Sequence, residues 1–205
     1  MATESEFAPF EFKSLVNGKD TLVGADIELA KAIGEKLGVK VEFSVMSFDN
    51  VLANVQSGKA DIAIAGISVT DERKKVYDFS DSYYTSENVV IVKKDKVNDY
   101  TSTDSLAKQT VGTQKGSVQE TVAKKQIPKA SVVSLASNGE MINELKSGQL
   151  QAVVLEKAIA EGYIAQNDDL TLANFNLKSD GSDAYAVATR KGSDDLLKEI
   201  NAVIK

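Results

Sequence analysis

The chain has 205 residues, of which 42% are hydrophobic and 26% charged, and a formal net charge of −6; that is enough for one large domain or two small lobes with ordinary cores. It contains no cysteine and no histidine, which excludes disulfides, thiolate zinc sites, cysteine nucleophiles and Ser-His-Asp triads, and nothing in it calls for a metal or cofactor. The acidic balance argues against nucleic acid as a partner, no apolar run approaches the ~20 residues of a membrane-spanning helix, and Met1, Ala2, Thr3 and Glu4 lack the basic start and apolar run of a signal peptide.

The first stretch places Phe7, Phe10 and Phe12 around Pro9, which keeps the residue before it extended, so it reads as a loop at a strand end. Gly18 and Lys19 mark a turn. Residues 26–37 form an amphipathic helix with Ile27, Leu29, Ala30, Ile33 and Leu37 on one face, stopped by Gly38. Val41, Phe43 and Val45 alternate as a strand. A loop through Ser47 and Phe48 leads to a helix carrying Val51, Leu52 and Val55, closed by Gly58. The apolar run 60–65 is short, rich in small and β-branched residues, and ends at Gly66, as a buried strand does. Thr70 is placed to cap a helix with Asp71 and Glu72 in its first turn. Arg73 thus lies just beyond a core strand, where open α/β sheets place ligands, and arginine suits a two-pronged grip on a carboxylate. The competing reading is a solvated charge run over 71–75.

Residues 88–92 are a further strand, and a short capped helix opens at Thr103. Residues 110–113 are a strand, followed by a loop at 114–117. Ser117 with Glu120 predicts a capping box and a helix start, whose free N–H groups and dipole suit an anion. The loop is not a phosphate-binding P-loop, because Lys115 precedes Gly116 where the order Gly-Lys-Ser/Thr is required. Residues 130–135 form a strand. Ser137 with Glu140 predicts a second capping box, and that helix carries Met141, Ile142 and Leu145 and stops at Gly148. Residues 151–155 are a buried strand ending at Glu156, whose carboxylate is either a helix N-terminal charge or a site residue. Residues 157–166 are helical, 170–175 extended and 180–183 a turn. A strand over 184–189 follows, then a final helix capped by Ser193 with Leu196, Leu197, Ile200, Val203 and Ile204 on its apolar face. Strand and helix alternate throughout, which predicts an α/β fold with mostly parallel sheets.

Residues 65–84, AGISVTDERKKVYDFSDSYY, resemble the signature segment of the polar amino-acid-binding proteins of ABC importers, the type II periplasmic solute receptors for arginine, lysine or histidine, and glutamine. The resemblance runs through nearly the whole chain. It implies a two-lobed fold with a mixed, mostly parallel sheet in each lobe and two crossing hinge strands: lobe one from residues 1–86 plus 184–205, lobe two inserted at 87–183. It also implies shortened terminal elements, with the first strand cut down and the edge of the first sheet in doubt. Carried over residue by residue, it gives Arg73, Gly66 and Ser68 to the ligand carboxylate, with the loop of Gln114 and Ser117 at a helix start meeting the same group. Glu156 would take the ligand ammonium, Phe7 and Phe48 would sandwich the side chain, and Glu4 would select it. One position departs: the family often has a hydroxyl two residues after the glycine, and here that residue is Val118. Either Ser117 and backbone N–H groups suffice, or the carboxylate is held more weakly.

The expectation is therefore an extracytoplasmic receptor, periplasmic or at the cell surface, monomeric, that binds a free L-amino acid in the cleft between its lobes and presents it to an ABC permease. An acidic Glu4 favours arginine, then lysine, with glutamine accommodated because a carboxylate also accepts an amide N–H. Two other readings remain open. An enzyme resembling cyclohexadienyl dehydratases would use Glu4 or Glu156 as general acid, and a ligand-sensing domain of a larger membrane receptor would share the binding chemistry.

Overall fold

Short strands and helices follow the hydrophobic pattern through residues 1–205, all of which the computed structural model describes. They group into two units, Met1–Thr85 with Gly181–Lys205, and Ser86–Asp180. The first unit opens with β1 (Ala2–Thr3), β2 (Glu6–Phe7), β3 (Glu11–Val16), β4 (Lys19–Val23), α1 (Ala25–Leu37), β5 (Ser44–Val45), α2 (Phe48–Gln56), β6 (Ile62–Ala63), α3 (Asp71–Lys74), β7 (Tyr77–Phe79) and β8 (Tyr84–Thr85). The second holds β9 (Asn88–Lys93), β10 (Thr110–Gln114), α4 (Val118–Gln126), β11 (Ser131–Leu135), α5 (Asn138–Ser147), β12 (Ala152–Glu156), α6 (Lys157–Gln166) and β13 (Leu170–Leu172). The chain then returns through β14 (Ala184–Tyr185), β15 (Ala188–Arg190) and α7 (Asp194–Ile204).

In the first unit the main sheet runs β5-β1-β6-β15-β7, with β5, β1 and β6 parallel and β15 antiparallel to both its neighbours. In the second it runs β11-β10-β12-β9-β13, with β11, β10 and β12 parallel and β9 antiparallel to both of its neighbours. In each sheet the reversed strand belongs to the segment that has just arrived from the other unit. The strands β8 and β14 pair with each other in antiparallel register, Tyr84 with Tyr185 and Thr85 with Ala184.

Ile27, Ala30 and Ile33 of α1 pack with Ile62, Ile64, Val187 and Ile200 into one apolar cluster, and Ala2, Val51, Val55, Ala63, Ile67 and Ala188 form a second on the other side of the sheet. The second unit is closed by Val90, Val92, Val111, Val154, Ala123 and Ile127. Gly38 and Gly148 end α1 and α5 in the left-handed conformation, as their positions predict.

Some expectations need correction. The strand expected over Val41, Phe43 and Val45 is two residues long, Ser44–Val45, because it lies at the sheet edge and pairs only with β1, through Ala2 opposite Ser44 and Thr3 opposite Val45. The first strand itself is inside the sheet, between β5 and β6, so the doubtful edge is not there. The strand expected over 184–189 is divided. Its first half pairs with β8 and its second with β6 and β7, while between them Ala186 N donates to Ile67 O at 3.1 Å and Val187 N to Ser80 Oγ at 2.9 Å. The helix at Thr103 is a 3-10 turn, Asp104–Leu106, without a side-chain cap.

Ile64 lies wholly buried just before the Gly66 loop. Ile64→Ala removes buried methyl groups that its neighbours cannot replace, and should cost about 2–5 kcal/mol by urea denaturation with an unchanged slope. A loss below about 1 kcal/mol would mean that the loop does not rest on this core.

Candidate functional site

Because β5, β1 and β6 are parallel neighbours, their carboxyl ends share one edge of the first sheet, the edge at which open α/β sheets receive ligands. Glu4 follows β1, Phe48 opens α2 after β5, and the 66–73 segment follows β6. Three separate sequence regions thus converge on one edge.

Glu4 is 5% exposed and Phe7 7%. The Phe7 ring lies 5.7 Å from that of Phe10 and 6.5 Å from that of Tyr185, and Phe10 and Tyr185 also contact Tyr84, at 4.8 and 5.5 Å. Gly66 has φ +53°, and a Cβ there would stand 2.5 Å from the Phe7 ring and 3.1 Å from Tyr185, so the left-handed backbone and the close ring both demand glycine. Thr70 caps α3 as expected, its Oγ1 accepting from Arg73 N at 3.1 Å. The Arg73 Nη1 donates to Ser68 O at 2.7 Å, and its Cζ lies 5.8 Å from the Phe48 ring centroid, within cation–π range. Arg73 is therefore not a solvated member of a charge run. Burial pushes its guanidinium down to about 10, with the Tyr77 and Tyr185 phenols acting in the opposite direction, so it stays charged at neutral pH.

Two carboxyl groups absent from the sequence reading lie beneath this loop. Asp26 Oδ2 accepts from Gly66 N at 2.9 Å and from the Tyr83 hydroxyl at 3.1 Å, and Glu11, the cross-strand partner of Phe7, is fully buried beside Asp26. Neither stands out in sequence, since each reads as an ordinary acid at a strand or helix start.

In the second unit β11, β10 and β12 are the parallel neighbours. Gln114 ends β10 and is 4% exposed, with its side-chain nitrogen 3.5 Å from Ala136 O. Ser117 begins α4, but the predicted capping box does not form: its hydroxyl donates back to Gln114 O at 2.6 Å instead of accepting from the helix. Glu120 misses its half as well, its Oε2 accepting from Gly116 N at 3.2 Å, one residue before the cap, while Ser117 N donates to Gln114 O. Val118 is the first helical residue and is buried. At Ser137, by contrast, the hydroxyl accepts from Glu140 N at 3.1 Å as expected. Glu156 ends β12 at 1% exposure and caps α6, Oε2 accepting from Ala158 N at 2.8 Å and Ile159 N at 3.3 Å. The helix N-terminal role is thus present in the fold, through one of the two Glu156 oxygens. Buried Gln119 donates to Asn88 Oδ1 at 2.8 Å, and Asn88 lies opposite Glu156 in the β9–β12 ladder. The pair was not legible in advance, because its members are 31 residues apart.

Comparison with known proteins agrees with this fold. The family model described as bacterial extracellular solute-binding proteins, family 3, matches residues 1–205. The arginine-binding extracellular protein ArtP of Bacillus subtilis (strain 168) is 35% identical over 210 residues, covering 100% of this chain and 78% of that protein. Among solved structures, the amino acid ABC transporter substrate-binding protein AbpA from Streptococcus pneumoniae Canada MDR_19A, bound to L-arginine, is 52% identical with a TM-score of 0.95, over 99% of this chain and 85% of that one. An ancestral arginine-binding protein, solved with arginine and with glutamine, is 42% identical with a TM-score of 0.89, over 99% of this chain and 88% of that one. With the full-length match and the two-unit α/β fold in agreement, the chain belongs to the bacterial extracellular solute-binding proteins, family 3.

Proposed function

We propose that the chain is a monomeric receptor, periplasmic or at the cell surface, that binds a free basic amino acid, arginine before lysine with glutamine admitted, and hands it to an ABC permease. The observation that carries this reading is the Arg73 guanidinium, fixed by Ser68 O and set against Phe48 at the carboxyl edge of three parallel strands. A guanidinium held in this way meets a carboxylate with little further loss of side-chain freedom. Ser68 and the Gly66 backbone border the same group. The half-site of the second unit supplies Gln114, Ser117 and the start of α4 for the carboxylate and Glu156 for the ammonium. Phe7 and Phe48 cover the side chain, and Glu4 faces its distal end. Closing the two units on the ligand follows if the ligand favours the closed state by its differential contacts. Relatives solved with arginine, and one with both arginine and glutamine, support arginine as a ligand and the admission of glutamine. The dehydratase reading is weaker, because Glu156 already accepts two backbone N–H bonds and relatives are substrate-binding transport proteins.

Arg73→Ala removes one partner of a desolvated charge pair and should cost roughly 2–5 kcal/mol in arginine affinity by calorimetry, with the melting temperature of the free protein little changed. Binding within a few-fold of the parent would place the carboxylate elsewhere. Glu4→Gln removes the charge and nearly keeps the shape. It should weaken arginine binding far more than glutamine binding, since the parent pairing in a buried setting exceeds the ~0–1 kcal/mol of a surface ion pair. Equal weakening of arginine, lysine and glutamine would overturn the preference for a basic ligand.

A further inference from the structure

Glu11 and Asp26 are both fully buried. Glu11 starts β3 opposite Phe7, and Asp26 sits in the first turn of α1, where the helix dipole favours a negative charge. The titratable groups facing Glu11 are Asp26, Glu4 on the β1–β2 loop and Tyr83; those facing Asp26 are Glu11 and Tyr83. No lysine or arginine is among them. Two ionised carboxylates in dry contact without a cation are too costly to persist, so the pair takes up a proton. The donors divide unequally. Asp26 Oδ2 accepts from Gly66 N and from the Tyr83 hydroxyl, whereas Asp26 Oδ1 and both Glu11 oxygens are buried without any other donor, so a proton between the two carboxyls is what gives them a partner. Burial first, and then the charges of Asp26 and Glu4, hold the Glu11 carboxyl well above the usual carboxylate range. The proton therefore resides on Glu11, and Asp26 remains the acceptor.

We propose that Glu11 and Asp26 share one proton as a clamp that sets the Gly66 loop for ligand binding, making both of them positioning residues for amino-acid recognition. The clamp joins three elements that carry ligand residues: β3 holds its partner Phe7, α1 holds Asp26, and Asp26 holds Gly66 and, two residues on, Ser68, whose carbonyl fixes Arg73. Loss of the Glu11 proton places a second negative charge against Asp26 and Glu4, and the strain is relieved only by moving Asp26 away from Gly66 N. The link to ligand affinity rests on the receptor reading given above; the clamp itself does not.

The test compares the parent with Glu11→Gln, Glu11→Ala and Asp26→Ala. Glutamine still donates to Asp26 but does not titrate. A group whose pKa is raised by folding stabilises the fold below its unfolded pKa, and that stability is lost as pH rises through the folded pKa. The melting temperature of ligand-free Glu11→Gln, relative to the parent, should therefore climb as pH rises above the ordinary carboxylate range. This reading needs no ligand, so it separates failure of the clamp from failure of the receptor assignment. With L-arginine as probe, parent affinity should fall about tenfold as pH rises through the folded pKa of Glu11, which lies well above the usual carboxylate range, the size of one lost hydrogen bond to a charged group. Glu11→Gln should give a flat profile, and Glu11→Ala and Asp26→Ala should bind at least about tenfold more weakly throughout. If the alanine variants fail to fold, the comparison of parent with Glu11→Gln decides. A Glu11→Gln profile that follows the parent in both melting and affinity would overturn the proposal, as would parent-like arginine binding by Glu11→Ala.

Discussion

A charged ligand taken out of water gains little from partners that must first be ordered, since each long side chain immobilised at the moment of binding offsets part of the contact it makes. The charged side chains of this protein are ordered beforehand. Arg73 is held by the Ser68 carbonyl and lies against the Phe48 ring. Glu156 is held by two backbone N–H groups at the start of α6. Each is fixed by backbone, and backbone is fixed by the sheet behind it. The proposed site thus depends on where the strands stop as well as on which charges are present.

The same construction appears in both units. Three neighbouring parallel strands end on one edge, and the residues proposed to meet the ligand stand at or just after their ends. The arrangement separates two tasks. Ala2, Ala63, Ile64, Val111, Val153 and Val154 lie in or beside the strands and make cores that know nothing of the ligand. Glu4, Phe48, Ser68 and Ser117 lie just beyond them and Glu156 at the last position of β12, where a change of side chain leaves most of the ladder intact. The reversed strands β15 and β9 let the chain cross between units twice and still close each sheet.

Much of this was legible in the sequence because it is local. The buried run before Gly66, the Thr70 cap, and the glycine stops at Gly38 and Gly148 are each decided within a few residues, and the structure has them. Arg73 could be suspected from its place after a core strand, but its departure from a solvated charge run depended on Ser68 and Phe48 folding back on it. What escaped was set by partners. The strand over Val41 to Val45 is short because its only neighbour is short. The Ser117 hydroxyl is taken up by the Gln114 carbonyl instead of its expected helix cap. Glu11 and Asp26, or Asn88 and Gln119, show no signal along the chain, because an acid or amide is meaningful there only once a second one has been placed against it.

Gly66 carries a consequence for how such a site can change. Its backbone lies under the Phe7 ring so closely that any side chain at position 66 would strike the aromatic. The two positions are therefore not free to vary independently. A new specificity that needs a smaller group at position 7 opens room at position 66, whereas a history that begins with a side chain at 66 is blocked while Phe7 remains, and the left-handed backbone resists it even afterwards. Routes from one amino-acid preference to another on this scaffold have a direction: the ring must yield before the glycine can.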